Sequence, residues 1–397
     1  MQKNVLLTGA TGAVGAALLP ELLSLGFTVY CLVRPKDGQS PAARLAGISR
    51  DPHAIAIAGD VTRPLCGVDI AGLKIDKLVH AAADTSLVES QSSAVIGANR
   101  DGTLNAMALC RALGDCEFHY VGTTYIAGDA DHLAEQAAGD PVIVGRPRNS
   151  YEASKYEAEC QVRKSGLAYA ILRPAIVVGR SDDGSAPLLE GFYSCLKGVS
   201  KIRDTMWSGR YLDEHNKPFT QSTKVVIAIG IKGMDAASLN LIQLDWVSQT
   251  LAHLVALPAR GRTYNLCHQN PVPLKQLLGC MFEALGLANV TVVEPEAVKT
   301  RSLVMMALNR FVNREIDQFR PYLKASSSFH SNNIYADLGA SWPRPPVINN
   351  EFLLASIRRV QAGWRRDAQR LNALSHTASS QRQRSAAPTE AASPGPA

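Results

Sequence analysis

The sequence lacks an apolar run of about 18 residues, so nothing in it reads as a membrane-spanning helix. It has no CxxC pair. Its eight cysteines, Cys31, Cys66, Cys110, Cys116, Cys160, Cys195, Cys267 and Cys280, show no paired spacing, which points to reduced thiols in a cytoplasmic setting rather than a disulfide framework. The scattered His53, His80, His119, His132, His253 and His268 have no metal-ligand spacing, so no metal site is expected, and His80 reads as a strand-end structural residue. A net charge of +6 without a basic stripe interleaved with aromatics argues against a nucleic-acid partner. There is no internal repeat, and the glycine-rich run at Thr8–Gly15 followed by Pro20-Glu21 breaks any signal-peptide core. What remains is an ordinary globular composition, 46% hydrophobic and 19% charged over 397 residues, long enough for a large α/β domain with an appended lobe.

The organising stretch is the first thirty-odd residues. Asn4–Thr8 (NVLLT) reads as a strand, Gly9-Ala10-Thr11-Gly12-Ala13-Val14-Gly15 as a turn, Ala16–Leu25 as a helix and Phe27–Val33 as a second strand. Glycines there let the backbone approach a pyrophosphate, and a helix N-terminus offers free N–H groups to it. Gly9, Thr11, Gly12, Ala13, Val14 and Gly15 are therefore assigned to dinucleotide binding. The spacing is G-x-x-G-x-x-G rather than G-x-G-x-x-G. The second strand ends in Arg34-Pro35-Lys36 where an NAD-binding unit usually carries an acid. A guanidinium can grip a 2′-phosphate bidentately, so Arg34, supported by Lys36, favours NADP(H) over NAD(H).

Further strands are expected at Ala54–Ala58, Lys77–Ala83, Glu117–Val121, Ala168–Leu172 and Thr263–Leu266, with helices near Ser92–Leu113, Tyr151–Lys164, Phe192–Arg203, Gln243–Leu257 (Asp245 as N-cap) and Pro273–Leu285. Lys224–Ile231 reads as a strand-like apolar run. Strands alternating with helices predict an α/β doubly wound parallel Rossmann sheet, with ligands at the carboxyl ends of its strands. The expected division is a nucleotide-binding core over 1–180, a mostly helical substrate region with returning strands over 181–374, and a disordered Ser/Ala/Pro-rich tail over 375–397.

Tyr151-Glu152-Ala153-Ser154-Lys155 places a phenol and an ammonium on one helix face. The lysine is expected to pull the phenol's pKa down from near 10, and it could also hydrogen-bond a nicotinamide ribose. Thr123, at a strand end, adds a hydroxyl able to donate to a developing oxyanion, with Thr124 its rival.

These runs, Thr8–Gly15 (TGATGAVG), Tyr151–Lys155 (YEASK) and Leu172–Gly179 (LRPAIVVG), resemble the extended short-chain dehydrogenase/reductase family over roughly Lys3–Leu278. The resemblance implies a Thr123-Tyr151-Lys155 catalytic set. It also implies cofactor contacts at Asp60, Val61, Ala81, Ala82, Ala83, Asn99, Tyr151, Lys155, Pro174 and Ile176. Within that family, Leu32–Lys36 (LVRPK), Gly59–Gly67 (GDVTRPLCG), His80–Thr85 (HAAADT), Asp245-Trp246-Val247, Phe319–Leu323 and Phe329–Asn333 resemble the thioester-reductase and fatty acyl-CoA reductase branch. One departure is Gly122, where that branch usually has Ser. The implied activity is NADPH-dependent reduction of an acyl thioester, on CoA or a carrier protein, to aldehyde or alcohol. A sugar-nucleotide epimerase or dehydratase, a hydroxysteroid-like dehydrogenase, and a non-catalytic dinucleotide sensor stay open. The apolar positions Leu303, Met306, Phe311 and Phe319 could line an acyl channel or simply pack. Arg358, Arg359, Arg365, Arg366 and Arg370 give a basic helix, either a solvated face or a contact for an acidic carrier, a CoA phosphate or a membrane surface.

Overall fold

The computed structural model describes residues 3–130, 132–185, 191–206, 225–228, 236–287, 290–293, 303–315, 317–324 and 328–364. Arg365, Arg366, Arg370, the expected tail over 375–397, Lys224 and the end of the Lys224–Ile231 run lie outside the described residues, as does the Leu303 side chain.

The first half runs β1 (Asn4–Thr8), α1 (Ala13–Ser24), β2 (Thr28–Val33), α2 (Pro41–Ala46), β3 (Ala54–Ala58) and β4 (Lys77–His80). Next come α3 (Ser92–Ile96), a π-helical turn at Gly97–Asp101, α4 (Gly102–Ala112), β5 (Glu117–Val121), a two-residue β6 (His132–Leu133), α5 (Ser150–Arg163) and β7 (Tyr169–Pro174). After β8 (Ile176–Val178), α6 (Gly191–Met206) and β9 (Val225–Ala228), the chain returns through β10 (Ser238–Leu239), β11 (Leu241–Gln243), α7 (Leu244–Ala256) and β12 (Thr263–Leu266). It continues through β13 (Val272–Pro273), α8 (Leu274–Ala284), β14 (Val290–Val293), α9 (Leu303–Glu315), β15 (Ser328–Phe329) and α10 (Asn332–Leu338), and residues 350–364 are again helical.

Seven strands make one parallel sheet in the order β12-β7-β5-β4-β1-β2-β3. The expected doubly wound architecture follows from side-chain alternation along each strand. In β1, Val5 and Leu7 face α1 and α7, while Leu6 faces the opposite layer with Ala106 and Leu109 of α4 and Ala158 and Val162 of α5. A separate cluster joins Tyr193, Leu196, Leu241, Leu277, Met281, Leu353 and Ile357 from the second half. Phe311 packs against that cluster, whereas Met306 is 48% exposed, so Met306 does not line an enclosed channel.

Several local expectations need correction. The strand expected over Lys77–Ala83 stops at His80, because Ala81 and Ala82 turn in against the glycine turn at Gly9. Asp245 is not the cap of α7. Gln243 holds the cap position, and the Asp245 carboxylate instead accepts from the Ser181 N–H at 2.9 Å and from the Ser181 hydroxyl. The helix expected near Ser92–Leu113 is divided by the π-helical turn, a feature common at functional sites. All eight cysteines are free, yet Cys110 and Cys116 are paired in space, with Sγ atoms 2.6 Å apart across a turn whose Gly114 and Asp115 are left-handed.

Candidate active site

The carboxyl ends of β1, β2, β4, β5 and β7 converge on one edge of the sheet. At β1 the backbone turns at Gly9, with φ +75°. A Cβ there would lie 2.6 Å from the Ala82 nitrogen, and a Cβ on Gly15 would lie 2.1 Å from the Gly9 carbonyl oxygen. Both positions must therefore be glycine for strand, turn and helix to close together. Gly12 caps α1 without any side-chain hydrogen bond, and the first turn carries no acid, so its N–H groups are not taken by a side-chain cap. The adjoining loop is fixed by Thr8, whose hydroxyl oxygen accepts from the Ala82 N–H at 3.2 Å and pairs with His80 Nδ1 at 2.9 Å. Burial, with the Lys155 charge in support, drops His80 to about 3, which makes it a neutral, structural histidine.

At the end of β2, Arg34 is 63% exposed and reaches Asp60 at 3.6 Å, an ion pair loose enough to leave the guanidinium available. Asp60 is opposed by burial, but hydrogen bonds from the Thr62 N–H and hydroxyl, with the Arg34 charge, hold its carboxyl below the usual range. Val61 packs over Gly102, and its carbonyl accepts from Asn105 at 2.8 Å. Lys36 is exposed on a tight turn closed by Gln39. Sequence reasoning missed Arg44. From α2 it donates to the Arg34 carbonyl and to Thr11 Oγ1 at 3.3 Å, so a second guanidinium joins the glycine turn to the strand end. Its signal was present, a lone cation on a short helix behind a Ser-Pro start, with Ser40 accepting from Ala43 N–H at 3.2 Å.

Asn99 sits buried in the π-helical turn with its amide fully engaged. Oδ1 accepts from the Asp84 N–H at 2.8 Å, and Nδ2 donates to the Asp84 carbonyl at 2.9 Å and to Ser154 Oγ at 3.0 Å. It therefore positions the Ala81–Ala83 loop against α5. Pro174 ends β7 and Ile176 opens β8, both at the same sheet edge.

The helix α5 begins with reciprocal capping. Asn149 Oδ1 accepts from the Glu152 N–H at 3.0 Å, and the Glu152 carboxylate accepts from the Arg148 N–H at 2.8 Å. Arg148 also ion-pairs with Glu152 at 3.0 Å and lies 4.7 Å from the Tyr322 ring centroid. Asn149 Nδ2 donates to the Tyr322 hydroxyl at 2.7 Å, so the Phe319–Leu323 segment reaches the start of α5. Thr123 is buried at the end of β5, and its Oγ1 accepts from the Tyr125 N–H at 3.2 Å.

Thr123 and Tyr151 are neighbours, but the phenol is not lowered as expected. Burial pushes Tyr151 up to about 12, a hydrogen bond with the Thr123 hydroxyl draws it back, and the Glu152 charge raises it further. Lys155 is 2% exposed, and its Nζ donates to the Val121 carbonyl at 2.8 Å. Burial takes Lys155 down to about 7 against the pull of Glu159. The phenol and the ammonium are thus both governed first by desolvation.

The pattern of the male sterility protein family of NAD-binding domains matches residues 7–229, more than half of the chain. The chain belongs to that family. A relative is fatty acyl-CoA reductase 1 of Gallus gallus, 30% identical, with the match covering 44% of this chain and 43% of the relative. The chain thus spans less than half the length of that relative. Similar solved structures include the terminal R domain from the myxalamid PKS-NRPS biosynthetic pathway, with TM-score 0.67, 23% identity and coverage of 91% of this chain and 92% of that one. A thiolation-reductase di-domain from an archaeal non-ribosomal peptide synthetase follows at TM-score 0.65 and 17% identity, covering 91% of each chain. The chain is an NAD(P)-binding domain of the extended short-chain dehydrogenase/reductase type. Among the described residues, no helix is long and apolar enough to cross a membrane.

Proposed function

We propose that this chain uses NADPH to reduce an acyl thioester, on CoA or a carrier protein, through Thr123, Tyr151 and Lys155. The observation that carries the reading is the Thr123 hydroxyl near enough to Tyr151 to favour its ionisation, beside a buried Lys155, at the sheet edge that also holds the Gly9–Gly15 turn. The residues present fit a dinucleotide: a turn whose glycines leave no room for a side chain, a helix start without a side-chain cap, and two guanidinium groups, Arg34 and Arg44, at the end of β2. The 2′-phosphate of NADP(H) suits that doubled cation better than a bare ribose does. The relatives named for acyl-CoA reduction, and the resemblance to R domains of peptide synthetases, support a thioester as the substrate class.

The Gly9–Gly15 turn, the start of α1, Arg34 and Arg44 would hold NADPH, which would supply the hydride for the thioester carbonyl carbon. The protein's part is to hold the oxygen. Thr123 and Tyr151 donate to it as negative charge develops, and Tyr151, pushed up to about 12, stays protonated at neutral pH and gives up its proton only to the more basic oxyanion. Proton transfer yields the hemithioacetal, whose C–S bond then breaks to release a thiol and an aldehyde. A second round on the aldehyde would give the alcohol. Glu152 ion-pairs with Arg148 at 3.0 Å, and its remaining charge works against ionisation of the phenol.

Tyr151→Phe is the test. It should lower NADPH oxidation with a long-chain acyl-CoA by about 1,000-fold while leaving NADPH affinity within about threefold. Product identification by mass spectrometry then separates aldehyde from alcohol. Turnover at the wild-type rate by the Phe variant would remove Tyr151 from the mechanism.

A further inference from the structure

Lys155 has unusual company for a buried ammonium. Among the described residues its Nζ meets one hydrogen-bond acceptor, the Val121 carbonyl at 2.8 Å, and no carboxylate forms an ion pair with it. An ammonium has three donors, so part of its charge needs another stabilising neighbour. That neighbour is an aromatic face. The Nζ stands 4.4 Å from the centroid of the Tyr120 ring. Tyr120 is 0% exposed on β5 and, with Phe118, faces the layer that contains α5. Its hydroxyl donates to the Lys155 backbone carbonyl at 3.3 Å, so ring and hydroxyl address the same residue from two sides.

A second observation ties Tyr120 to the departure at Gly122. A Cβ on Gly122 would lie 3.3 Å from Tyr120 Cε1, with Arg173 Cγ behind it at 3.6 Å. The ring thus occupies the space beside residue 122, and glycine there lets it stay under the ammonium. Tyr120 and Gly122 fit each other as a large and small pair on alternate positions of one strand end.

We infer that Tyr120 is a positioning residue for Lys155, its ring face holding the ammonium charged and aimed along the cleft between Val121 and the nucleotide cradle. The inference rests on the proposed role of Lys155, but not on the identity of the acyl substrate. Without the ring's negative face, a desolvated cation keeps only the Val121 carbonyl and the more distant charge of Glu159. The lysine should then shed its proton at lower pH, by roughly one unit, because burial already outweighs the pull of Glu159 and brings it down to about 7.

The test measures NADPH affinity by nucleotide fluorescence across the pH range around neutrality. Four proteins are compared: wild type, Tyr120→Phe, the same position carrying a ring-trifluorinated phenylalanine, and Lys155→Met. The fluorinated ring keeps the volume and weakens the π face, so the comparison does not hinge on a cavity-forming variant that fails to fold. In the wild type, affinity should weaken as pH rises through the lysine's titration, and this step should vanish in Lys155→Met. Tyr120→Phe should keep the wild-type midpoint, while the fluorinated ring should move it about one unit lower. A purely structural role would weaken binding at every pH without moving the midpoint. Coincident midpoints for the phenylalanine and fluorinated proteins would overturn the inference, as would a wild-type pH step that survives in Lys155→Met. Acyl-CoA turnover is measured separately on the wild type. Its absence would remove the thioester reading and leave the midpoint result standing.

Discussion

The nucleotide cradle and the phenol–lysine site lie on one sheet edge but are made differently. The cradle is backbone. Gly9 and Gly15 are there because Ala82 and the Gly9 carbonyl come closer than a Cβ allows, and the helix start presents N–H groups rather than side chains. The phenol–lysine site is side chain, and its chemistry is set by how deeply Thr123, Tyr151 and Lys155 are buried. The cradle therefore fails by volume and the site fails by charge. Substitutions can break the two independently.

The largest effect belongs to the cradle. Gly15→Ala places a Cβ 2.1 Å from the Gly9 carbonyl oxygen, a backbone atom that cannot move aside without opening the turn. NADPH binding, read by calorimetry, should weaken by roughly 100-fold or more, with the sheet intact by circular dichroism. Retained affinity would mean that the turn is looser than its contacts indicate. On the other side of the comparison, Thr123→Val should lower kcat by about 100-fold with little change in NADPH affinity, because the lost hydroxyl faces the phenol rather than the turn.

A middle-sized effect concerns cofactor choice, where the cradle borrows side chains. Arg34→Ala and Arg44→Ala should each reduce the preference for NADPH over NADH by about 10-fold to 100-fold, measured as a ratio of dissociation constants. The two differ in kind. Arg34 is exposed and holds Asp60 loosely, so its loss should affect the 2′-phosphate alone. Arg44 also binds the Arg34 carbonyl and Thr11, so its loss should weaken NADH as well.

The same division explains what could be read from the sequence. The strands Ala54–Ala58 and Glu117–Val121 agree residue for residue with expectation, since short runs of apolar and β-branched residues flanked by polar or glycine positions leave little else for them to be. The glycine turn was legible for a similar reason, because Gly at these spacings signals a backbone constraint. Asp245 was misplaced because a first-turn acid can cap its own helix or bind a distant loop, and only tertiary contact with Ser181 decides. The direction of the Tyr151 shift was misread because i, i+4 spacing shows which groups share a face but not how much water they lose. Arg44 showed only as a cation on a short helix, its reach to Thr11 being a tertiary contact, and the Cys110–Cys116 approach depends on the left-handed turn at Gly114 and Asp115, of which residue spacing carries no trace.

The smallest effect settles the rivalry between adjacent threonines. Thr124 is 0% exposed and its Oγ1 has no hydrogen-bond partner among the described residues, whereas the Thr123 hydroxyl is engaged with Tyr151 and the Tyr125 N–H. A buried hydroxyl left unpaired costs about 1–3 kcal/mol, so replacing it with a methyl group of similar shape removes a penalty rather than an interaction. Thr124→Val should leave turnover within about twofold and raise unfolding stability by about 1 kcal/mol in a denaturant titration. A loss of turnover comparable to that of Thr123→Val would transfer the oxyanion role to the second hydroxyl. It would also place that hydroxyl, not its neighbour, on the side that faces the phenol, where the chain leaves β5 and enters the 3-10 turn at Thr124–Ala127.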